Sequence, residues 1–112
     1  MLYIEYPKCS TCSKYKKELT EGGITLETRH IVEDNPSPEE IQSFHEKSAL
    51  DIKKFFNTSG MKYRELGLKD KLPTMTLEEK YQVLASDGML LKRPILVTES
   101  TVLLGKEVLK AL

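Results

Sequence analysis

The order of apolar segments predicts an α/β chain: four strands of mixed direction in one sheet, flanked by helices. Three observations carry this. A β-prone run, Leu2-Tyr3-Ile4-Glu5-Tyr6, leads directly into a helix-forming stretch. Two capping-box signatures, Ser37-Pro-Glu-Glu40 and Thr76-Leu-Glu-Glu79, open helices in the middle of the chain. Two short apolar runs near the end, Pro94-Ile-Leu-Val97 and Thr101-Val-Leu-Leu104, are separated by only a few residues, which calls for an antiparallel hairpin.

The first strand is ended by Pro7-Lys8, and from Ser10 to Glu21 the chain reads as helix. Cys12, Tyr15 and Leu19 fall on one helical face, and Gly22-Gly23 ends the helix. A second strand is expected over Ile24–Val32, which makes the start a βαβ unit with a right-handed crossover. A helical insert follows, over roughly 37–88. Its first helix is capped by Ser37, has Pro38 at its first position, and turns Ile41 and Phe44 inward. A second piece carries Ile52, Phe55 and Phe56, and a third carries Met61, Tyr63 and Leu66 up to Gly67. The last helix of the insert sets Leu77, Tyr81 and Leu84 on one side and stops at Asp87-Gly88. After the hairpin, Gly105 breaks the chain, and Lys106–Leu112 is expected as a terminal helix with Val108, Leu109 and Leu112 facing in.

The whole chain has 112 residues, enough for one domain with one modest core. Its 17 basic and 17 acidic side chains cancel, which argues against a nucleic-acid-binding surface. No apolar stretch reaches the ~18 residues that a membrane span needs, and no signal-peptide pattern precedes the first strand, so a cytoplasmic location is expected. In such a reducing compartment two cysteines suit catalysis, sensing or metal binding better than a structural disulfide.

Cys9-Ser-Thr-Cys12 is the motif that carries chemistry. Cys9 stands where strand gives way to helix, near unpaired backbone N–H groups and the positive end of the helix dipole, both of which favour thiolate. Cys12 lies one turn further on, with its Cα about 5 Å away and within disulfide reach. Cys9 reads as a nucleophile and Cys12 as its resolving thiol, although Cys12 also suits simple core packing beside Tyr15 and Leu19. Lys8 adds positive charge beside Cys9. Ser10 and Thr11 cap the helix, and their N–H groups can also hold an anion or the thiolate. His30 and His45 have no ligand spacing to the cysteines, and there is no Gly-rich phosphate loop, so no metal, nucleotide or flavin is expected.

The segments Tyr6-Pro-Lys-Cys-Ser-Thr-Cys12, Phe56-Asn-Thr-Ser-Gly60, Tyr63-Arg-Glu-Leu-Gly67, Ser86-Asp-Gly-Met89 and Leu91-Lys-Arg-Pro-Ile95, in this order, resemble the thioredoxin-fold arsenate reductase family over essentially the whole chain. The resemblance implies a thioredoxin-like fold, a Cys9 nucleophile, and Arg93 as a holder of an anionic substrate or thiolate. It also implies a cis Arg93–Pro94 bond facing the cysteine. That family uses three arginines around its oxyanion. Here the insert position reads Phe56-Asn57-Thr58 and the C-terminal one Leu104-Gly105-Lys106, so one of the three remains. Asn57 and Thr58 either end a helical piece or line the rim of the cleft. The family also implies an external thiol reductant (glutaredoxin with glutathione, or thioredoxin), a small oxyanion or protein disulfide as substrate, and a redox partner protein. Its Spx-type branch consists of redox-sensing regulators that bind RNA polymerase, which is the competing expectation.

Overall fold

The computed structural model describes all of residues 1–112. Strand β1 (Leu2–Glu5) runs into helix α1 (Ser10–Glu21), which returns to β2 (Glu27–His30). The insert follows as α2 (Pro38–Ser48), a 3-10 turn at Ile52–Phe55, α3 (Met61–Glu65), α4 (Leu68–Lys71) and α5 (Leu77–Ser86). Strands β3 (Ile95–Val97) and β4 (Val102–Leu104) and a terminal 3-10 helix (Gly105–Ala111) complete the chain. The sheet order is β2-β1-β3-β4. β1 pairs parallel with β2, while β3 is antiparallel to both β1 and β4. This is the expected mixed four-stranded sheet, and the fold is thioredoxin-like.

Alternation along β1 divides the interior. Tyr3 faces α1 and the terminal helix, where it packs with Leu19, Leu96 and Val108. Ile4 faces the insert and joins a larger core that includes Ile41, Phe55, Leu84 and Leu90. Helices therefore cover both faces, and β1 lies between two apolar layers, which places whatever follows its C-terminal end at the edge of both.

The caps form as the sequence implies. The Ser37 hydroxyl accepts from the Glu40 N–H at 3.2 Å while the Glu40 carboxylate accepts from the Ser37 N–H at 3.0 Å. Thr76 and Glu79 repeat this at 3.1 and 2.9 Å. At the end of α1 the left-handed residue is Gly23, with φ of 90°. Gly88 serves a close approach: a Cβ there would lie 2.0 Å from the carbonyl oxygen of Ile31, so the insert meets the end of β2 backbone against backbone.

Three expectations change. β2 covers only Glu27–His30 of the expected 24–32, because it is an edge strand whose sole partner, β1, offers four residues. Beyond it the chain turns, with the His30 Nδ1 accepting from the N–H groups of Val32 and Glu33. The terminal segment is a 3-10 helix rather than an α-helix. Its three-residue repeat keeps Val108 fully buried and rotates Leu112 out to 63% exposure. Met61 and Leu77 are exposed as well. Each is the first residue of its helix and overhangs the core that Tyr63 and Tyr81 reach.

Candidate active site

β1 ends at Glu5, and the four residues Tyr6–Cys9 form a tight turn closed by the Cys9 N–H donating to the Tyr6 carbonyl at 2.9 Å. That bond sets Cys9 as the N-cap of α1, in extended conformation, with its own carbonyl accepting from Ser13. Its side chain therefore stands at the N-terminal end of the helix, where backbone N–H groups lack helical partners. There it meets the Thr11 hydroxyl at 3.0 Å.

The two thiols are reduced and have opposite surroundings. Cys9 is partly exposed; Cys12 is completely buried. Burial pushes the Cys9 thiol up. Hydrogen bonds from the Thr11 hydroxyl, the Cys12 N–H, the Cys12 thiol and the Thr11 N–H outweigh it and bring the pKa down to about 7. Burial also dominates at Cys12, whose thiol is pushed up to about 12. The Tyr6 N–H and the Arg93 charge oppose that rise, and the neighbouring Cys9 sulfur adds to it. The two environments therefore pull the thiols apart: the outer one ionises readily and the inner one stays protonated.

The supporting groups come from both layers. The buried Tyr3 hydroxyl donates to the Cys12 carbonyl at 2.6 Å and ties the first turn of α1 to the central strand. Under the next turn, Lys16 pairs at 3.0 Å with Glu5, whose side chain is 6% exposed. Arg93 arrives from the opposite layer through a cis bond to Pro94, as the sequence resemblance implies. Its guanidinium carbon sits 5.4 Å from the centre of the Tyr6 ring, and one N–H reaches the Met89 carbonyl at 3.5 Å. No carboxylate pairs with it.

The structure therefore brings together Cys9, Thr11 and Cys12 at the start of α1, with Arg93 on the ring of Tyr6, whose carbonyl accepts from Cys9. Ser10 is the exposed first residue of α1, and Lys8 is exposed in the preceding turn. Pro94 is buried, with its carbonyl accepting from Gly105. Asn57 is fixed in a turn: its N–H donates to Leu90, its carbonyl accepts from Gly60, and its side chain packs against Gly60. Thr58 lines a separate groove of about 910 Å³, together with Lys53, Lys54, Lys92 and Lys106. Neither cysteine nor Arg93 lines that groove. No group of three His, Cys, Asp or Glu side chains is placed to share a metal ion.

Sequence reasoning missed Tyr6 as a site residue. Its carbonyl anchors Cys9, its N–H faces the Cys12 sulfur, and its ring carries Arg93. The signal in the sequence was strand alternation: Tyr6 continues the Ile4 side of β1, the side from which Arg93 comes.

Similar proteins cover nearly the whole chain. An ArsC-family protein from Bacteroides fragilis has a structure with a TM-score of 0.93 and 51% identity, covering 98% of this chain and 92% of its own. The structure of a "possible arsenate reductase" from Streptococcus mutans UA159 has a TM-score of 0.86 and 47% identity, covering 94% and 89%. YusI of Bacillus subtilis, a protein of uncharacterised function, is 56% identical over 89% of this chain and 85% of its own length. A more distant relative from the same organism is the regulatory protein MgsR, 28% identical over 94% of this chain and 82% of its own length. The family model for ArsC matches residues 4–108, and the chain belongs to the ArsC family.

Proposed function

We propose that the chain is a cytoplasmic thiol–disulfide oxidoreductase in which Cys9 attacks and Cys12 resolves. The observation that carries this is the placement, within the first turn of one helix, of an outer, readily ionised thiol beside the Thr11 hydroxyl and a fully buried inner one. In the first step the Cys9 thiolate attacks one sulfur of a substrate disulfide. A Cys9–substrate bond forms, the substrate disulfide breaks, and one substrate thiolate leaves. In the second step Cys12 loses its proton and attacks the Cys9 sulfur. The Cys9–Cys12 disulfide forms and the second substrate thiolate leaves, so two electrons have passed from protein to substrate. A thioredoxin or a glutaredoxin with glutathione then reduces the pair.

Arsenate fits the same two steps: Cys9 attacks arsenic(V) with loss of water, and Cys12 attack on the Cys9 sulfur leaves the electron pair on arsenic(III). Arg93 is the one arginine of the expected three, so its guanidinium alone offers forked donors to an oxyanion. Protein or small-molecule disulfides therefore suit the site better than arsenate does.

The test is coupled turnover. With thioredoxin, its reductase and NADPH, steady consumption on addition of a disulfide substrate supports the reading, and Cys9→Ser should lower it at least a thousandfold. Absence of turnover with either reducing system, for both disulfide and arsenate, would refute it. The resemblance to MgsR supports a second reading, a redox-sensing regulator that binds RNA polymerase. Redox-dependent capture of purified polymerase, without turnover, would favour that one.

A further inference from the structure

β4 is an open edge of the sheet, paired with β3 alone. The phase of that ladder is fixed at both ends: the Gly105 N–H donates to the Pro94 carbonyl at 2.8 Å, and the Thr98 N–H to the Thr101 carbonyl at 2.9 Å. Antiparallel alternation then makes Leu103 the residue that exchanges bonds with Leu96. It turns the N–H and C=O of Val102, and the N–H of Leu104, out to the free edge, where no strand meets them. The groove of about 910 Å³ runs along this edge, and Thr101, Val102, Leu103 and Leu104 line it in succession. Its walls are cationic. Lys53 and Lys54 stand on the insert, Lys106 and Lys110 on the terminal helix, and Lys92 lies against Gly105. Two carboxylates share the groove and both are engaged. Glu107 pairs with Lys110 at 2.6 Å, and Asp51 accepts from the Lys53 N–H at 2.9 Å. The ammonium groups of Lys53, Lys54, Lys92 and Lys106 pair with no carboxylate.

We propose that this groove docks an extended, acidic segment of a partner protein, which adds to the free edge of β4 as a further strand. The outward N–H and C=O groups supply the backbone bonds of such an addition. Side chains of an added strand alternate between its two sides, so acidic residues on either side meet a lysine wall. Lysines beside an edge strand also block pairing, and here the block is selective. A second copy of β4 would bring its own lysines against these. A neutral strand would bury the ammonium groups without partners. A nucleic-acid strand would satisfy the lysines, but its phosphates only accept and leave the Val102 carbonyl without a donor. An acidic polypeptide meets all three demands. The groove uses neither cysteine nor Arg93, so the proposal stands apart from the oxidoreductase reading.

The probe is the synthetic peptide acetyl-Glu-Val-Thr-Glu-Glu-Val-Thr-Glu-amide, which carries acids on both sides when extended. Titrated into the isotope-labelled full chain at low salt, it should bind saturably. Bound peptide should slow amide hydrogen exchange at Val102 at least about tenfold more than at Leu103, whose N–H is already paired within the sheet. N-methylating the two central residues removes one N–H from each edge of the peptide and leaves its charge unchanged. That change should weaken binding at least about tenfold. Lys54→Glu with Lys106→Glu should weaken it by at least about as much, and the amide spectrum of the free variant shows that it is folded. The same peptide with lysine for glutamate should not bind. No saturation by the acidic peptide would overturn the proposal. So would an unprotected Val102, unweakened binding after N-methylation, or indifference to the double charge reversal. Tighter binding of a short single strand of DNA would overturn it as well and assign the groove to nucleic acid. None of these outcomes bears on the cysteines, which the coupled turnover assay tests separately.

Discussion

The rim of α1 and the interior one turn below it hold the same functional group in opposite states. At the rim, Cys9 is met by a hydroxyl, two N–H groups and a thiol, and it titrates near neutrality. In the interior, Cys12 has no exposed surface and stays protonated up to about 12. Only Ser10 and Thr11 separate them. The difference teaches that the motif does not by itself assign the roles. Solvent and hydrogen-bond donors make the outer sulfur the more readily ionised of the two, which is what the proposed roles need.

The comparison is broken most completely by Cys12→Ala. The variant should still release the first equivalent of thiolate from an aromatic disulfide and should release none of the second, leaving a stable mixed disulfide detectable by intact mass. If glutathione, added to the desalted mixed disulfide, releases the second thiolate as fast as the wild type does unaided, an external thiol and not the interior one does the resolving. A smaller change sharpens the rim. Thr11→Ala removes the hydroxyl at 3.0 Å from the Cys9 sulfur, a hydrogen bond to a charged group. The pH midpoint of Cys9 alkylation should rise by about one unit, which makes alkylation about tenfold slower below pH 6. An unmoved midpoint would transfer the effect to the backbone donors alone.

The interior makes its own prediction in alkali. Cys12 has a folded pKa raised from 9.0 to about 12, and the buried Tyr3 is raised too, by burial first and then by the nearby acidic groups. The unfolded chain therefore gives up these protons first. Their contribution to stability is whole below pH 9 and is lost as pH rises toward 12. Thermal midpoints should fall across that window, and less steeply in Cys12→Ala. The smallest expected effect lies away from both sulfurs. Arg29 holds the Glu40 carboxylate through two bonds, of 2.6 and 3.0 Å, and brings its pKa down to about 2. This contribution is present above pH 4.5 and is lost as pH falls through about 2. The Glu40 side chain is 41% exposed, so Glu40→Gln, which keeps the capping bond to Ser37, should cost under ~1 kcal/mol at pH 7 in denaturant titrations.

The sequence made the local devices legible. α1 has the bounds its flanking prolines, cysteines and glycines imply, and both capping boxes formed, because each is decided by side chains within three or four residues of one another. The length of β2 was not legible, since an edge strand stops where its partner stops. Nor was the 3-10 character of the last turn: Val108 and Leu109 suit either repeat, and only the position of Leu112 tells them apart. At the site, Cys9 and Cys12 could be read from spacing. Tyr6 could not, because what it does depends on Arg93, which is 87 positions away in the chain and reaches it only through the fold.

Gly88 ties the insert to the end of β2 and, through the next residue, to Arg93. A single methyl group at that position would collide with the Ile31 carbonyl, and rigid peptide lies on either side of the collision. One of the two segments is Gly88–Leu90, the same turn whose Met89 carbonyl accepts from Arg93. Gly88→Ala would therefore displace the turn against which Arg93 rests, from a position that contributes no side chain of its own.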